Sequence, residues 1–588
     1  GTTVLLGTSG VISDTAAITV NGTFDLNGYS EEVGSIAGTG LITSSRAGTP
    51  TLTVGGDNSS TSFTGVLENG LSTVSLAKVG TGTMTLGNAN TYTGTTTISG
   101  GAIAIGTDTS LGVAPVTASA GKLVLSGGNL NATETMTLNA NRGISLTAAS
   151  AINVASTKTL TYNGIMAGVG NFSKTGAGAL ILGGANTISA SFAVSAGTAS
   201  LNLANAIASV ASVSIADVAG TSLNLNGYNQ TFASLTGGGS SGGNLALGAA
   251  TLTINPSASA SYAGVISGTG GSLIKNGTYA LTLSGANTYT GGTTINAGTL
   301  KAGISSTGSV TNGPFGTGTV TVASGATLDL NGYTIANALS VTGTGDSSNG
   351  AIYNSSSTAG SASGAIALAG ATTIKTVGAM TLGAINGAYA LTANTTSTGT
   401  ITFGGIVGGS TNLASLTTSP SAGSAAVLIS GGAITTTGDL NIGNTITLGA
   451  NTTLTSGNTL VLGAALTGAG YSLTITNNAT ISAALSGLSS LSIGGTTSLG
   501  GNVTTTGAQT YTGAVTLAGA DRTLTSSSNG AIQLGALNGA YGLTISNGSG
   551  AITLAAIGGT TPLTTLTLQG TGLNTLNGDI NTSGAVDL

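Results

Sequence analysis

One pattern decides what this chain can fold into: apolar residues alternate with threonine or serine from one end to the other. Thr51-Leu52-Thr53-Val54, Thr83-Met84-Thr85-Leu86, Thr159-Leu160-Thr161-Tyr162, Thr319-Val320-Thr321-Val322, Ser472-Leu473-Thr474-Ile475 and Thr565-Leu566-Thr567-Leu568 are samples of it. A period of two places every second side chain on one face, so each run reads as a half-buried strand with its hydroxyls outward. Between the runs stand Gly55-Gly56, Asn69-Gly70, Gly237-Gly238-Gly239 and Asn349-Gly350, residues that adopt positive φ at little cost and so make tight turns. Six prolines in 588 residues leave the strand ladders uninterrupted. Strong helix formers are too rare, and Gly and Thr too common, for helices of ordinary length. The exception is an alanine-rich stretch where Leu203, Ile207 and Val210 fall at i, i+4 and i+7; a short helix there competes with a return to alternation at Val213-Ser214-Ile215.

The runs are themselves repeated. Phe24-Asp25-Leu26-Asn27-Gly28-Tyr29 returns as Leu223-Asn224-Leu225-Asn226-Gly227-Tyr228 and as Leu328-Asp329-Leu330-Asn331-Gly332-Tyr333. Ala89-Asn90-Thr91-Tyr92-Thr93-Gly94 returns as Ala286-Asn287-Thr288-Tyr289-Thr290-Gly291, with a weaker copy at Ala185-Asn186-Thr187; the steps are 96 and 101 residues. Past residue 345 another unit takes over: Leu382-Gly383-Ala384-Ile385-Asn386-Gly387-Ala388-Tyr389 recurs 152 residues later from Leu534 to Tyr541. The chain therefore divides into two repeat zones, 1–345 and 346–588. Long periods made of short strands and glycine turns predict an all-β solenoid, in which each coil adds one strand to parallel sheets. A coil of about 23 residues gives roughly 25 coils and a rod of about 120 Å at about 4.8 Å per step. A lone coil buries too little to offset the entropy of ordering it, so burial against both neighbours must supply the difference.

Composition removes whole classes of function. The absence of Cys and His excludes disulfides, zinc sites, haem ligation, Ser-His-Asp triads and cysteine nucleophiles. Ten Lys and Arg against fifteen Asp and Glu cannot neutralise a phosphate backbone, so nucleic acid is not a partner. No run approaches the 18 or so apolar residues of a membrane helix, and twenty scattered Tyr and Phe make no aromatic girdles. Charged residues are 4% of the chain, against about 25% in an ordinary soluble domain. A surface this poor in charge has little protection against association. Neither end reads as a capping helix, so the two readings are a segment of a longer solenoid or ends that pair with other copies. The chain opens at Gly1 without a basic-then-apolar leader, which reads as a mature or excised portion, and lack of Cys fits export.

No catalytic, cofactor-binding or metal-ligating residue is assigned. Asp25 and Asp329 share a repeat position with Asn224, and a carboxylate that asparagine replaces is reading turn amides rather than moving protons. Glu31 and Glu32 are adjacent, so on a strand they face opposite sides and do not flank one bond. Asp57-Asn58, and Asp346 with Asn349, are the candidates for calcium; without tandem Gly-Gly-x-Gly-x-Asp repeats, solvated turns are favoured. No glycine-rich run is followed by Lys-Ser/Thr, so none cradles phosphate. Thr-x-Thr strands resemble ice-binding faces, but their spacing is irregular and an ordinary sheet face is favoured. Tyr29, Tyr228 and Tyr333 hold matching positions and are either exposed contact points or lids over a turn.

Gly80-Thr81-Gly82-Thr83-Met84-Thr85-Leu86, the following Ala89–Gly94 motif and Thr96-Thr97-Ile98 resemble the passenger-associated repeat of bacterial autotransporters. Leu281 to Leu300 matches that pattern more closely, and the later zone resembles repeats of filamentous-haemagglutinin-like surface proteins. The resemblance implies a right-handed parallel β-helix exported to the cell surface, with no translocator barrel in this sequence. The expected function is a non-enzymatic, extracellular structural or adhesive building block of a surface or matrix fibre. Self-association, end to end or lateral, is the expected partnership, with a surface glycan or matrix beside it; no cofactor is expected. A carbohydrate- or receptor-binding passenger is the alternative, and a β-helix polysaccharide lyase or hydrolase stands behind it.

Overall fold

The computed structural model describes residues 1–396, 399–420 and 425–588. The chain forms two compact units, Gly1–Gly292 and Thr293–Leu588; the change of repeat near residue 345 lies inside the second. In both, short strands pair in parallel with the strand one coil away, giving an all-β solenoid of about 28 turns. Coils are shorter than the expected 23 residues: Leu160 pairs with Leu180 and Thr474 with Ser492, steps of 20 and 18. The saving comes from three- and four-residue strands joined by turns of two or three residues. Where the step widens, as between Thr96 and Leu123, an extra loop leaves the coil.

The first unit contains an eight-stranded sheet running from Glu31–Val33 to Thr187–Ile188 and a seven-stranded sheet from Met136–Leu138 to Ile266–Ser267. Alternation does there what the period demands. In Thr159–Tyr162 and Ala179–Leu182 every second residue is buried. Register then stacks like on like, so Leu160, Leu180, Ala199, Leu223, Leu245 and Ile266 form one fully buried column. The second unit contains a thirteen-stranded sheet from Thr334–Ile335 to Val586–Asp587 and an eight-stranded sheet from Ala433–Thr436 to Asn574–Leu576. Its inward column reads Leu454, Ile475, Ile493, Tyr511, Leu534 and Leu554, while Thr453, Thr474, Ser492, Thr510, Gln533 and Thr553 line the outer side of the same strands. Each buried aliphatic side chain contributes about 1.5–3 kcal/mol relative to exposure, and it does so only while both neighbouring coils are in place.

Corners are fixed by turn chemistry. In all three Leu-Asn-Gly-Tyr copies the asparagine is left-handed (φ 48, 50 and 52° at Asn27, Asn226 and Asn331), as is the glycine after it (φ 81 to 82°). The tyrosine N–H closes each turn onto the leucine carbonyl at 2.8–2.9 Å. Two successive positive φ values define a type I′ turn and explain why Asn-Gly recurs there.

The described residues contain no α-helix; 3₁₀ turns occur at Asp108–Leu111 and Asp346–Ser348. The short helix weighed at Leu203–Val210 does not form. Asn205 takes φ 50°, which a right-handed helix cannot include. Only Ile207 of the three spaced apolar residues is buried, while Leu203 and Val210 stay exposed. A lone helical stripe has no second layer to pack on at a solenoid corner.

Truncating one member of a column tests how much the stack depends on it. Leu180→Ala opens a cavity between Leu160 and Ala199, and should lower stability by about 2–5 kcal/mol, read as an earlier denaturant midpoint; Thr161→Ala, on the outer face, should shift it by under about 0.5 kcal/mol.

Candidate functional site

The charged and amide side chains that matter most in the first unit point inward. Lys78, Lys174 and Lys275 each occupy an inward position near the end of a strand, in Ser75–Lys78, Phe172–Thr175 and Ser272–Lys275, and all three are buried. Each amine turns back on the corner that follows it. Lys174 Nζ donates to the carbonyls of Thr175 (2.9 Å), Gly176 (2.7 Å) and, one coil on, Ala196 (2.9 Å). Lys275 Nζ donates to Asn276 (3.0 Å) and Gly277 (2.7 Å), and Lys78 Nζ to Val79 and Gly80. The glycines are left-handed, with φ of 62, 75 and 72°. A left-handed corner turns its carbonyls into the tube, where a buried acceptor must find a donor. In the second unit hydroxyls cap corner carbonyls at glycines outside the left-handed region: Thr376, Thr436 and Thr505 donate to Gly378, Gly438 and Gly507, each two residues on, at 2.6–2.9 Å. Lys174, Lys275 and Thr376 are separated by equal steps of 101 residues.

A second inward group sits a dozen residues after each lysine. Asn186 Oδ1 accepts from Met166 N–H on the preceding coil (2.8 Å), while its Nδ2 donates to Gly184 (3.0 Å) and, on the following coil, to Ala206 (2.9 Å). Asn90 links Leu67 N–H (2.7 Å) to the Ser110 carbonyl (2.7 Å) in the same way, and Asn287 accepts from Ile266 N–H (2.7 Å). One carboxamide therefore staples three consecutive coils. Reading the sequence singled out these asparagines by their spacing but missed the lysines, since lysine is ordinarily a solvated residue. The equal step was the signal that would have found them.

A fourth buried cation holds a loop. Arg142 is paired with Asp108 through Nε–Oδ1 and Nη2–Oδ2, both 3.1 Å, and also donates to the carbonyls of Leu111 (2.8 Å) and Gly112 (2.9 Å). It clasps the 3₁₀ turn to a coil thirty residues later.

The acidic residues singled out by sequence are occupied with amides. Asp25 and Asp329 each accept from the N–H two residues on (2.8 and 2.9 Å), and Asn224 makes the same bond at 2.9 Å. Burial alone would raise the Asp25 carboxyl, but hydrogen bonds from Ser45 and Asn27 outweigh it and hold it below the usual range. Glu31 is buried and its carboxylate gathers the N–H groups of Gly10, Val11 and Ile12 at 2.8–3.3 Å, whereas Glu32 points the other way. Asp57 accepts from Ser35 Oγ (2.6 Å) and Ser59 N–H (2.8 Å), and the Ser35 bond lowers its pKa. Asp346 accepts from Thr299 and Ser347, both 3.2 Å. Among the described residues no three His, Cys, Asp or Glu side chains come together as a metal site. The matched tyrosines behave differently from one another: Tyr29 lies under the Arg46 guanidinium, 5.6 Å from its ring centre, while Tyr228 is 44% exposed. A concavity of about 670 Å³ lies at the first coils between Val4, Ile12, Ile18, Val20 and Phe24.

Fold and staples together define a repeat solenoid whose recognisable residues face its own interior. The comparisons identify the repeat. The passenger-associated-transport-repeat family model matches residues 76–105, 172–198 and 273–302, and each match begins two residues before a buried lysine and includes the stapling asparagine. The chain is also 39% identical over 160 residues to the adhesin BmaC autotransporter of Brucella suis biovar 1 (strain 1330), a match covering 26% of this chain and 5% of that protein. No solved structure matches. The family model and the curated relative both support the resemblance to an autotransporter passenger.

Two tests come from the staples. Burial lowers the Lys174 amine to about 8, whereas an unfolded lysine titrates near 10.4. Between those values the unfolded chain holds a proton the native chain has lost, so stability should rise as pH goes from about 8 to about 10. Above that it should fall, because burial holds Tyr92 and Tyr162 at about 12 while unfolded tyrosine ionises near 10. Denaturant midpoints across pH 7–11 check this, and Lys174→Met should flatten the rising limb. Separately, Asn186→Asp keeps the acceptor for Met166 but sets carboxylate oxygens against two carbonyls. It should cost more than the roughly 1–3 kcal/mol of an unsatisfied buried group at pH 7, and recover in part at pH 4, where a protonated carboxyl donates again.

Proposed function

We propose that this chain is a stretch of an exported autotransporter passenger that acts at the cell surface as a non-enzymatic adhesive scaffold. One observation carries the reading: in the three matched passenger repeats the recurring lysines and asparagines are spent on interior corners. The outer faces are left to threonine, serine and asparagine. Such a surface offers hydrogen-bonding hydroxyls and amides in ranks one strand apart, with hardly any charge to keep other surfaces away. The adhesin name of the Brucella relative supports the same assignment. Self-association through these neutral faces, and through the open apolar concavity at the first coils, is part of the proposal, as is contact with a surface glycan or matrix.

Display of residues 1–588 on a non-adherent, non-clumping bacterium tests it. Attachment to coated surfaces or clumping should increase several-fold over a strain displaying an unrelated domain. Clumping without any coating marks self-association, and attachment to glycan-coated but not bare surfaces marks a glycan partner. The purified chain should release no reducing or unsaturated sugar from a panel of polysaccharides; turnover abolished by one acidic substitution would replace the scaffold with an enzyme.

A further inference from the structure

We propose that the Val116–Thr117 bond is a cleavage site for a serine protease with a small, apolar S1 pocket, and that the cut leaves the solenoid clasped across it. The loop that leaves the coil after the 3₁₀ turn reads Gly112-Val113-Ala114-Pro115-Val116-Thr117-Ala118. From Val113 onward it buries no side chain, and Val116 is 96% exposed. Its tethers are the Val113 N–H to Tyr92 (3.0 Å) and the Pro115 carbonyl to Asn141 Nδ2 (3.0 Å); the Thr117 N–H has no partner among the described residues. An exposed loop tip free of ladder bonds is where a protease can draw the chain into its cleft. Valine in front of the scissile bond fits a small apolar pocket of the elastase kind and no basic-specific one. Val169 is also well exposed, but there the Gly170 N–H is bound to Leu146. The chemistry is ordinary acyl transfer: the protease serine attacks the Val116 carbonyl, the Thr117 amine leaves with a proton, and one water hydrolyses the acyl-enzyme.

The fold holds the two sides of such a cut together. Strand Thr96–Ile98 pairs with Ser119–Leu125, and Ala102–Ile105 with Asn129–Ala132, so ladders join them. Arg142, beyond the cut, grips Asp108, Leu111 and Gly112, before it. Cleavage is therefore a nick and not a release.

Limited digestion of the whole chain with pancreatic elastase tests both halves. The first products by intact mass should be residues 1–116 and 117–588, eluting together from a native sizing column and parting only in denaturant. Val116→Asp, on a fully exposed side chain, should leave the circular dichroism unchanged and slow this cut about tenfold or more. A first cut elsewhere, or V116D cleaved like the parent, overturns the site; fragments that separate on the native column overturn the clasp.

Discussion

The structure depends on one constraint: the backbone of each coil can be satisfied only by the coil before it and the coil after it. In a parallel ladder the strand N–H and C=O groups look along the stack, and a single coil, as short as 18 residues, has no strand partners of its own. Burial obeys the same rule, because Leu180 is covered by Leu160 and Ala199 and by nothing distant in sequence. Stability is then a sum of nearest-neighbour terms, and composition follows. A tube this narrow takes Leu, Ile, Val and Ala in columns and admits a ring where a small residue stands beside it. Gly164 and Gly264, each two residues after a buried tyrosine, have that tyrosine's hydroxyl 2.6 and 2.7 Å from where a Cβ would be.

Corners are where this economy is strained. At the lysine corners left-handed glycines tighten the turn but aim carbonyls inward, and the chain meets the demand of inward corner carbonyls in two chemical ways. Lysine reaches more than one acceptor, three at Lys174, and brings a charge whose burial depresses its pKa. Threonine reaches one acceptor and brings none. The exchange of one for the other at an equal sequence step, Lys275 to Thr376, tracks the fall in charge along the chain. It identifies the repeat position by its task rather than by its residue type.

Legibility in the sequence divided along the same line. The period of two, the Asn-Gly corners and the hundred-residue step were readable because each is a local demand: a pleat, a positive φ, a recurring unit. The parallel solenoid follows from them, and so does the role of Asp25, given away by Asn224 at the same position. Coil length was legible only as an overestimate, since turn length depends on how closely the next coil can approach. Leu203, Ile207 and Val210 gave a helical period that the neighbouring coils override. The buried lysines share the inward parity of Leu76, Phe172 and Leu273, but the ordinary preference of lysine for solvent hid that signal, and the Arg142–Asp108 clasp joins residues 34 positions apart with no local pattern to mark it.

Function is distributed by the same division. The stretches that the family model matches, residues 76–105, 172–198 and 273–302, contain the lysines and asparagines that close corners and staple coils, so these matched stretches carry groups that hold the stack together. In the adhesive reading proposed above, specificity resides in positions the stack leaves free: the outward ranks of strand residues, the half-exposed tyrosines, and loops such as 112–118 that leave the coil. A solenoid separates these two tasks more cleanly than a globular domain does, because strand alternation assigns every residue to one or the other. Changes on the outward side can alter the surface without disturbing a ladder, and each inward change is felt by the two coils beside it.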